Sequence, residues 1–141
     1  MTFTKMNNMD NNVHSRTCVM IINFNKKESA LIKNICGFIG IRDCIFLDKT
    51  NGNSLIKDIL EGNISSDCED GLNSKAIVFN NVPSVKINSF LDSLKKMRIN
   101  RPLTAIVTET TVEWTLNNLI YNLMEERKSL STGKEFTHKK N

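Results

Sequence analysis

Several kinds of feature are missing from this sequence, and each absence removes a class of protein. No run of about 18 apolar residues occurs, so nothing in it reads as a bilayer-spanning helix. The opening stretch, residues 1–16, is polar and lacks the apolar segment of a secretory signal. The two histidines, His14 and His138, both lie in the ends, so no histidine stands in the middle to serve a Ser or Cys nucleophile. The four cysteines (Cys18, Cys36, Cys44 and Cys68) form no C-x-x-C pair and have no histidine at zinc spacing, which argues against a metal site. Glycine-rich phosphate loops are absent too: there is neither G-x-G-x-x-G nor G-x-x-x-x-G-K-[ST].

What is present suits one globular domain. The 141 residues are 40% hydrophobic and 24% charged, enough apolar material for a core without staples. The net charge is +4, and its placement matters more than its size. Residues 127–141 carry +4 and residues 1–16 carry +1, which leaves −1 for 17–126. The basic excess therefore sits in ends that read as solvated tails, not in a stripe on the body, and this points away from nucleic acid. With no export signal, the expected compartment is the reducing cytoplasm. There Cys18, Cys36 and Cys44 read as small buried hydrophobes, and Cys68, in a polar loop, as an exposed thiol.

Hydropathy patterning divides the chain into two similar halves, 17–62 and 75–127, joined by a polar linker, 63–74, and flanked by tails 1–16 and 128–141. The first half opens with a continuous apolar run, TCVMIINF, of the kind a strand buried on both faces shows. Asn25 and Glu28 then have capping-box spacing, and Leu31, Ile32, Ile35 and Phe38 or Ile39 recur at helical spacing. A strand over Asp43–Asp48 and a short helix closed by Gly62 follow. The second half repeats the order. It has a strand at Lys75–Asn80, a helix opened by Pro83 and Ser84, a strand at Leu103–Glu109, and a long helix over 110–127 with Thr110 and Glu113 as its capping box.

Strands alternating with helices predict an α/β fold built from βαβ units. Two βαβα halves related by a dyad along the strands give a four-stranded, mostly parallel sheet of order 2-1-3-4 with helices on both faces. A ferredoxin-like α+β arrangement is the alternative.

The second half carries motifs with a family likeness. The features are I-V-F-N at Ile77–Asn80, R-P-L-x-A-I-V-T at Arg101–Thr108, and W-T-L-x-x-L at Trp114–Leu119. They resemble the bacterial domain of unknown function 3783 family. Within that pattern Glu109 stands where the family often has Pro, and Thr111 where it often has Asn. The resemblance implies a small cytoplasmic bacterial protein and no assigned activity.

In open α/β sheets ligands gather beyond the carboxyl ends of the strands, where the strand order reverses. With strands 1 and 3 parallel neighbours, that edge collects Asn23, Asn25, Asn80, Asn81, Thr108 and Thr110 beside three helix starts. A small anion such as phosphate or a nucleotide is the expected ligand. Receiver-type phosphoryl acceptance is excluded because amides occupy the places that chemistry needs carboxylates. Asp48 and Glu109 end the two edge strands, about 14 Å apart by strand spacing, too far to share a proton. No catalytic residue, metal ligand or cofactor is therefore assigned. At 100° per residue, Trp114, Asn118 and Tyr121 share a helix face opposite the apolar stripe, a candidate surface for a second copy or a protein partner. The function expected from the residues is a non-catalytic interaction or regulatory module working through the last helix. A small-anion binder, or an enzyme on such a ligand, is the alternative.

Overall fold

The computed structural model describes residues 15–140, with side chains through residue 129. Residues 1–14 of the N-terminal tail and Asn141 lie outside the described residues. The elements run β1 (Cys18–Ile22), α1 (Lys26–Ile39), β2 (Cys44–Leu47), a 3-10 turn (Lys49–Asn51) and α2 (Ile56–Leu60). After a long connection come β3 (Ala76–Asn80), α3 (Ser84–Lys96), β4 (Leu103–Ile106), a second 3-10 turn (Thr111–Glu113) and α4 (Leu116–Lys140). The sheet order is β2-β1-β3-β4, as expected from the alternation.

The sheet is mixed. β1–β2 and β3–β4 pair parallel, but the central pair β1–β3 is antiparallel, with Met20 opposite Val78. A dyad along the strands, which the sequence reading assumed, would make the central pair parallel. Residues 61–74 explain the reversal. Leu60, at the end of α2, reaches the entry end of β1, where its carbonyl accepts from Arg16 Nη1 at 2.9 Å. The chain then returns across the molecule. The Ser65 amide donates to Ser54 Oγ at 2.8 Å, the Cys68 amide to Thr50 O at 3.0 Å, and the Leu72 amide to Asn117 Oδ1 at 3.0 Å. This brings β3 in beside the exit end of β1, so it must run the other way. Gly71 permits the return, because a Cβ there would stand 1.9 Å from the Lys49 carbonyl oxygen. The linker is thus part of the packed body, and Cys68 is buried within it at 5% exposure, not an exposed thiol.

Direction decides the layers. Parallel β–α–β crossovers are right-handed as a rule. Turning the second unit head to tail puts its crossover helix on the same face as the first. One face of β1 and β3 (Val19, Ile21, Ile77, Phe79) accordingly meets α1 and α3 through Ile32, Ile35, Cys36, Ile87, Phe90 and Leu94. The other face (Met20, Ile22, Val78) meets α2 and α4 through Ile56, Ile59, Leu60, Leu116, Leu119 and Ile120. Every residue of β1 and β3 is buried, as the continuous apolar runs require.

Local signals explain most boundaries. Asn25 caps α1 in a full box: the Glu28 amide donates to Asn25 Oδ1 at 2.8 Å, and the Asn25 amide donates back to Glu28 Oε1 at 3.3 Å. Gly40 ends α1 in the left-handed region at φ 95°. The box expected at Thr110–Glu113 does not form. Thr108 and Thr111 bond each other instead, and Trp114 is extended. Its carbonyl accepts from Ile56 at 2.8 Å, and Thr115 bridges Leu55. α4 therefore starts at Leu116, where Thr115 Oγ1 accepts from the Asn118 amide at 3.1 Å. It runs to Lys140, which puts the basic stretch assigned to a tail on the helix backbone.

One ion pair ties three elements together. Arg16 grips Asp43 with Nε at 2.6 Å and Nη2 at 2.8 Å while Nη1 holds Leu60. The bonded guanidinium holds the Asp43 carboxyl below its ordinary range. A carboxylate with a lowered folded-state pKa adds stability above its unfolded pKa and loses it as pH falls through the folded value. Asp43→Asn should therefore cost about 1 kcal/mol at neutral pH, solvent screening included, because the pair is partly exposed. The gap to wild type should narrow as pH falls below the ordinary carboxylate range, in urea titrations run at several pH values.

Candidate functional site

The antiparallel central pair separates the residues expected to share one pocket. Asn23 and Asn25 follow β1 at one end of the sheet; Asn80 ends β3, and Asn81, Thr108 and Thr110 follow β3 and β4, at the other. Most of them have backbone work. Asn23 Nδ2 donates to the carbonyls of Leu72 and Ser74 at 3.0 and 2.9 Å. Asn80 Nδ2 donates to Arg16 O at 2.6 Å. Asn81 Nδ2 reaches Ser15 O and Thr17 Oγ1 at 2.9 and 3.2 Å. Asn25 is the α1 cap, Thr108 bonds Thr111, and Thr110 makes no side-chain cap bond.

The aromatic face is also divided. Trp114 precedes α4, so helical phase does not apply to it, and it packs half-buried against the α2–α4 core. Tyr121 is 53% exposed. Asn118 is exposed and accepts from Asn122 Nδ2 through both its carbonyl and Oδ1. Trp114, Leu119 and Leu123 line a cleft of about 630 Å³ beside the edge strand β4, with Glu125 and Glu126 at its rim.

A different set of side chains converges. At the end of the sheet where β3 and β4 begin, a cleft of about 640 Å³ lies between the β3 lead-in, the α3–β4 loop and α4. Lys75 comes from the first wall, Arg101 from the second, and Arg127 and Lys128 from the third. Pro102, Leu103 and Met124 give it an apolar floor, and Ser74 and Asn100 add polar edges. No carboxylate is among these lining residues.

Each wall has a local cause. Pro102 blocks helical continuation and leads directly into β4, which puts Arg101 at the strand entrance. Arg127 Nη2 donates to Pro102 O at 3.0 Å and Arg101 O at 3.4 Å, which fixes α4 against that loop. Lys75 Nζ bonds both oxygens of Glu28 at 2.8 and 2.9 Å and stands 5.7 Å from the centre of the Phe24 ring. Glu28 is held below its ordinary range, chiefly by that lysine. Among the described residues, Lys75 alone of the four cations is paired with a carboxylate, Glu28, which does not line the cleft. A smaller cavity of about 230 Å³ shares Arg101 and Arg127 and brings in Glu126.

Residues 75–130 match the family model of a domain of unknown function, DUF3783. The match takes in every lining residue of the basic cleft except Ser74. It also covers the I-V-F-N, R-P-L and W-T-L motifs that carry the resemblance in the sequence. The DUF3783 segment is therefore the β3–α3–β4 unit and the first part of α4, and the unit containing β1 and β2 lies outside it. No curated protein and no solved structure matches the chain. Among the described residues no helix is long and apolar enough to cross a membrane, and no three His, Cys, Asp or Glu gather as metal ligands.

Sequence reasoning missed this cleft because its charges were legible only one at a time. Arg101 reads as part of a helix breaker, and Arg127 and Lys128 read as the start of a tail. The useful signal was the R-P-L step itself, which sets a cation at a strand entrance.

Proposed function

We propose that the chain is a non-catalytic binding module that holds a small organic phosphate in the basic cleft, with α4 as the binding wall. The observation that supports this is the convergence of Lys75, Arg101, Arg127 and Lys128, from three separate segments, on one cleft without a lining carboxylate. Arg101, Arg127 and Lys128, like charges on one cleft, repel each other, and a bound polyanion relieves that repulsion. Guanidinium groups pair with phosphate through parallel N–H donors. The volume falls within the range of small-molecule sites. The apolar floor of Pro102, Leu103 and Met124 suits an organic body attached to the phosphate.

Calorimetric titration with pyrophosphate and with ADP tests the reading. Both should bind, with affinity falling as salt is raised, and ADP should bind more tightly because of the floor. Arg101→Gln should weaken binding about tenfold or more, the cost of one charge-assisted hydrogen bond. No heat and no thermal stabilisation by either compound at millimolar concentration would rule the site out. Binding indifferent to Arg101→Gln would place it elsewhere.

A further inference from the structure

The smaller cavity beside the basic cleft differs from it in polarity. Arg101, Pro102, Leu103 and Arg127 line both, so the two spaces adjoin around one pair of guanidinium groups. Arg127 is fixed at this junction, since its Nη2 donates to the carbonyls of Arg101 and Pro102. The residues that belong to the smaller cavity and not to the cleft are Thr104, Leu123 and Glu126. Thr104 Oγ1 donates its one proton to Pro102 O at 3.2 Å, which leaves that oxygen free only to accept. The Glu126 carboxylate is likewise an acceptor, and among the described residues it enters no ion pair. The larger space thus offers cationic donors without a carboxylate, and the smaller offers two acceptors beside the shared arginines.

This difference orients a ligand. A phosphate is drawn to the cations of the larger space and repelled from the smaller one by the charge of Glu126. A hydroxyl suits the smaller space, because it can donate to Glu126 or Thr104 and accept from a guanidinium N–H in the same place. Pro102 and Leu103 line both spaces and give the C–H surface of the joining body something apolar to rest on. On the basis of the phosphate site proposed above, we infer that its ligand is a phosphate ester of a polyhydroxylated body, a ribose or similar sugar. The phosphate lies among Lys75, Arg101, Arg127 and Lys128, and the sugar hydroxyls bond Glu126 and Thr104.

Calorimetric titration of the full chain with AMP and with dideoxy-AMP, which differ only in the two ribose hydroxyls, tests this assignment. AMP should bind about tenfold more tightly or better, the effect of a hydroxyl bonded to a carboxylate. Ribose-5-phosphate should exceed propyl phosphate in the same way. Tighter binding of AMP than of ribose-5-phosphate would identify the body as a nucleoside, and equal binding as a free sugar; the hydroxyl preference supports the inference in both cases. Glu126→Ala should abolish that preference without weakening pyrophosphate binding, because it removes a negative charge from the anion's surroundings. Thr104→Val should reduce the preference severalfold. Glu126 is exposed and Thr104 half-buried, so neither substitution opens the core, and a thermal melt checks that each variant is folded. Pyrophosphate bound by a chain that does not distinguish AMP from dideoxy-AMP would overturn the sugar assignment and leave the phosphate site standing. Failure of every compound to bind would remove both. A preference that survives Glu126→Ala, or pyrophosphate binding weakened by it, would overturn the role given to Glu126.

Discussion

Replacing Phe90 with alanine should lower the unfolding free energy by about 4 kcal/mol, measured by urea denaturation. Phe90 is wholly buried on α3 and meets the Phe79 ring edge-on, with centroids 5.3 Å apart and planes at 87°. It stands in the layer that α1 and α3 share against the sheet. Truncation removes that aromatic contact as well as buried area, and a close-packed layer cannot collapse around the cavity left behind. The same substitution at Phe38 is the control. Phe38 is 91% exposed on the outer side of α1, so Phe38→Ala should change stability by about 0.5 kcal/mol or less. Equal losses at the two sites would mean that α1 and α3 do not pack as described.

Those two phenylalanines show how far the sequence is legible. Helical spacing placed both near an apolar stripe, but Phe38 lies at its margin, where one residue of phase decides between core and solvent. The central strands were clearer. CVMII and AIVFN are apolar at nearly every position, which only a strand covered on both faces tolerates, and alternation with helices then gave the order 2-1-3-4. The Asn25 cap was legible because its partners are three residues apart.

Strand direction was not legible, because it is set by a return path. Residues 61–74 look like an idle connector, yet contacts of Ser65, Cys68, Gly71 and Leu72 with residues 49–54 and 117 carry the chain back before β3 begins. Nothing in local periodicity reports such contacts. The separation of Asn23 and Asn25 from Asn80, Asn81, Thr108 and Thr110 follows from this one difference. With β1 and β3 opposed, their exits lie at opposite ends, and the start of β3 joins the start of β4 and α4 to line the basic cleft. The start of the last helix was lost for a similar reason. Thr110 and Glu113 have capping spacing, but the backbone of Trp114 and Thr115 is claimed by Leu55 and Ile56.

Asn23→Ala should destabilise the fold by about 3 kcal/mol, and Asn23→Gly by about 2. Asn23 sits at the exit of β1 with φ 66°, and Asn81 at the exit of β3 with φ 62°. Each turns a left-handed corner and uses its amide to hold the segment entering the neighbouring strand: Leu72 and Ser74 for Asn23, Ser15 and Thr17 for Asn81. This matched pair follows from the antiparallel register, in which Ile22 faces Ala76 and Cys18 faces Asn80, so each exit lies beside the other strand's entry. Losing the two Asn23 bonds costs about 1 kcal/mol each. Alanine adds about 1 kcal/mol for the left-handed conformation, a cost glycine avoids. Asn81 is exposed, and water replaces its bonds more readily, so Asn81→Ala should cost about half as much. Urea titrations of the three variants separate the contributions. Equal losses for Ala and Gly at position 23 would show that the corner is unstrained. A larger loss at position 81 than at 23 would show that the β1 entry, not the linker return, is the weaker join. Because Asn23 pins Ser74 at the rim of the basic cleft, Asn23→Ala should also weaken pyrophosphate binding, whereas Asn81→Ala, at the far end, should leave it unchanged.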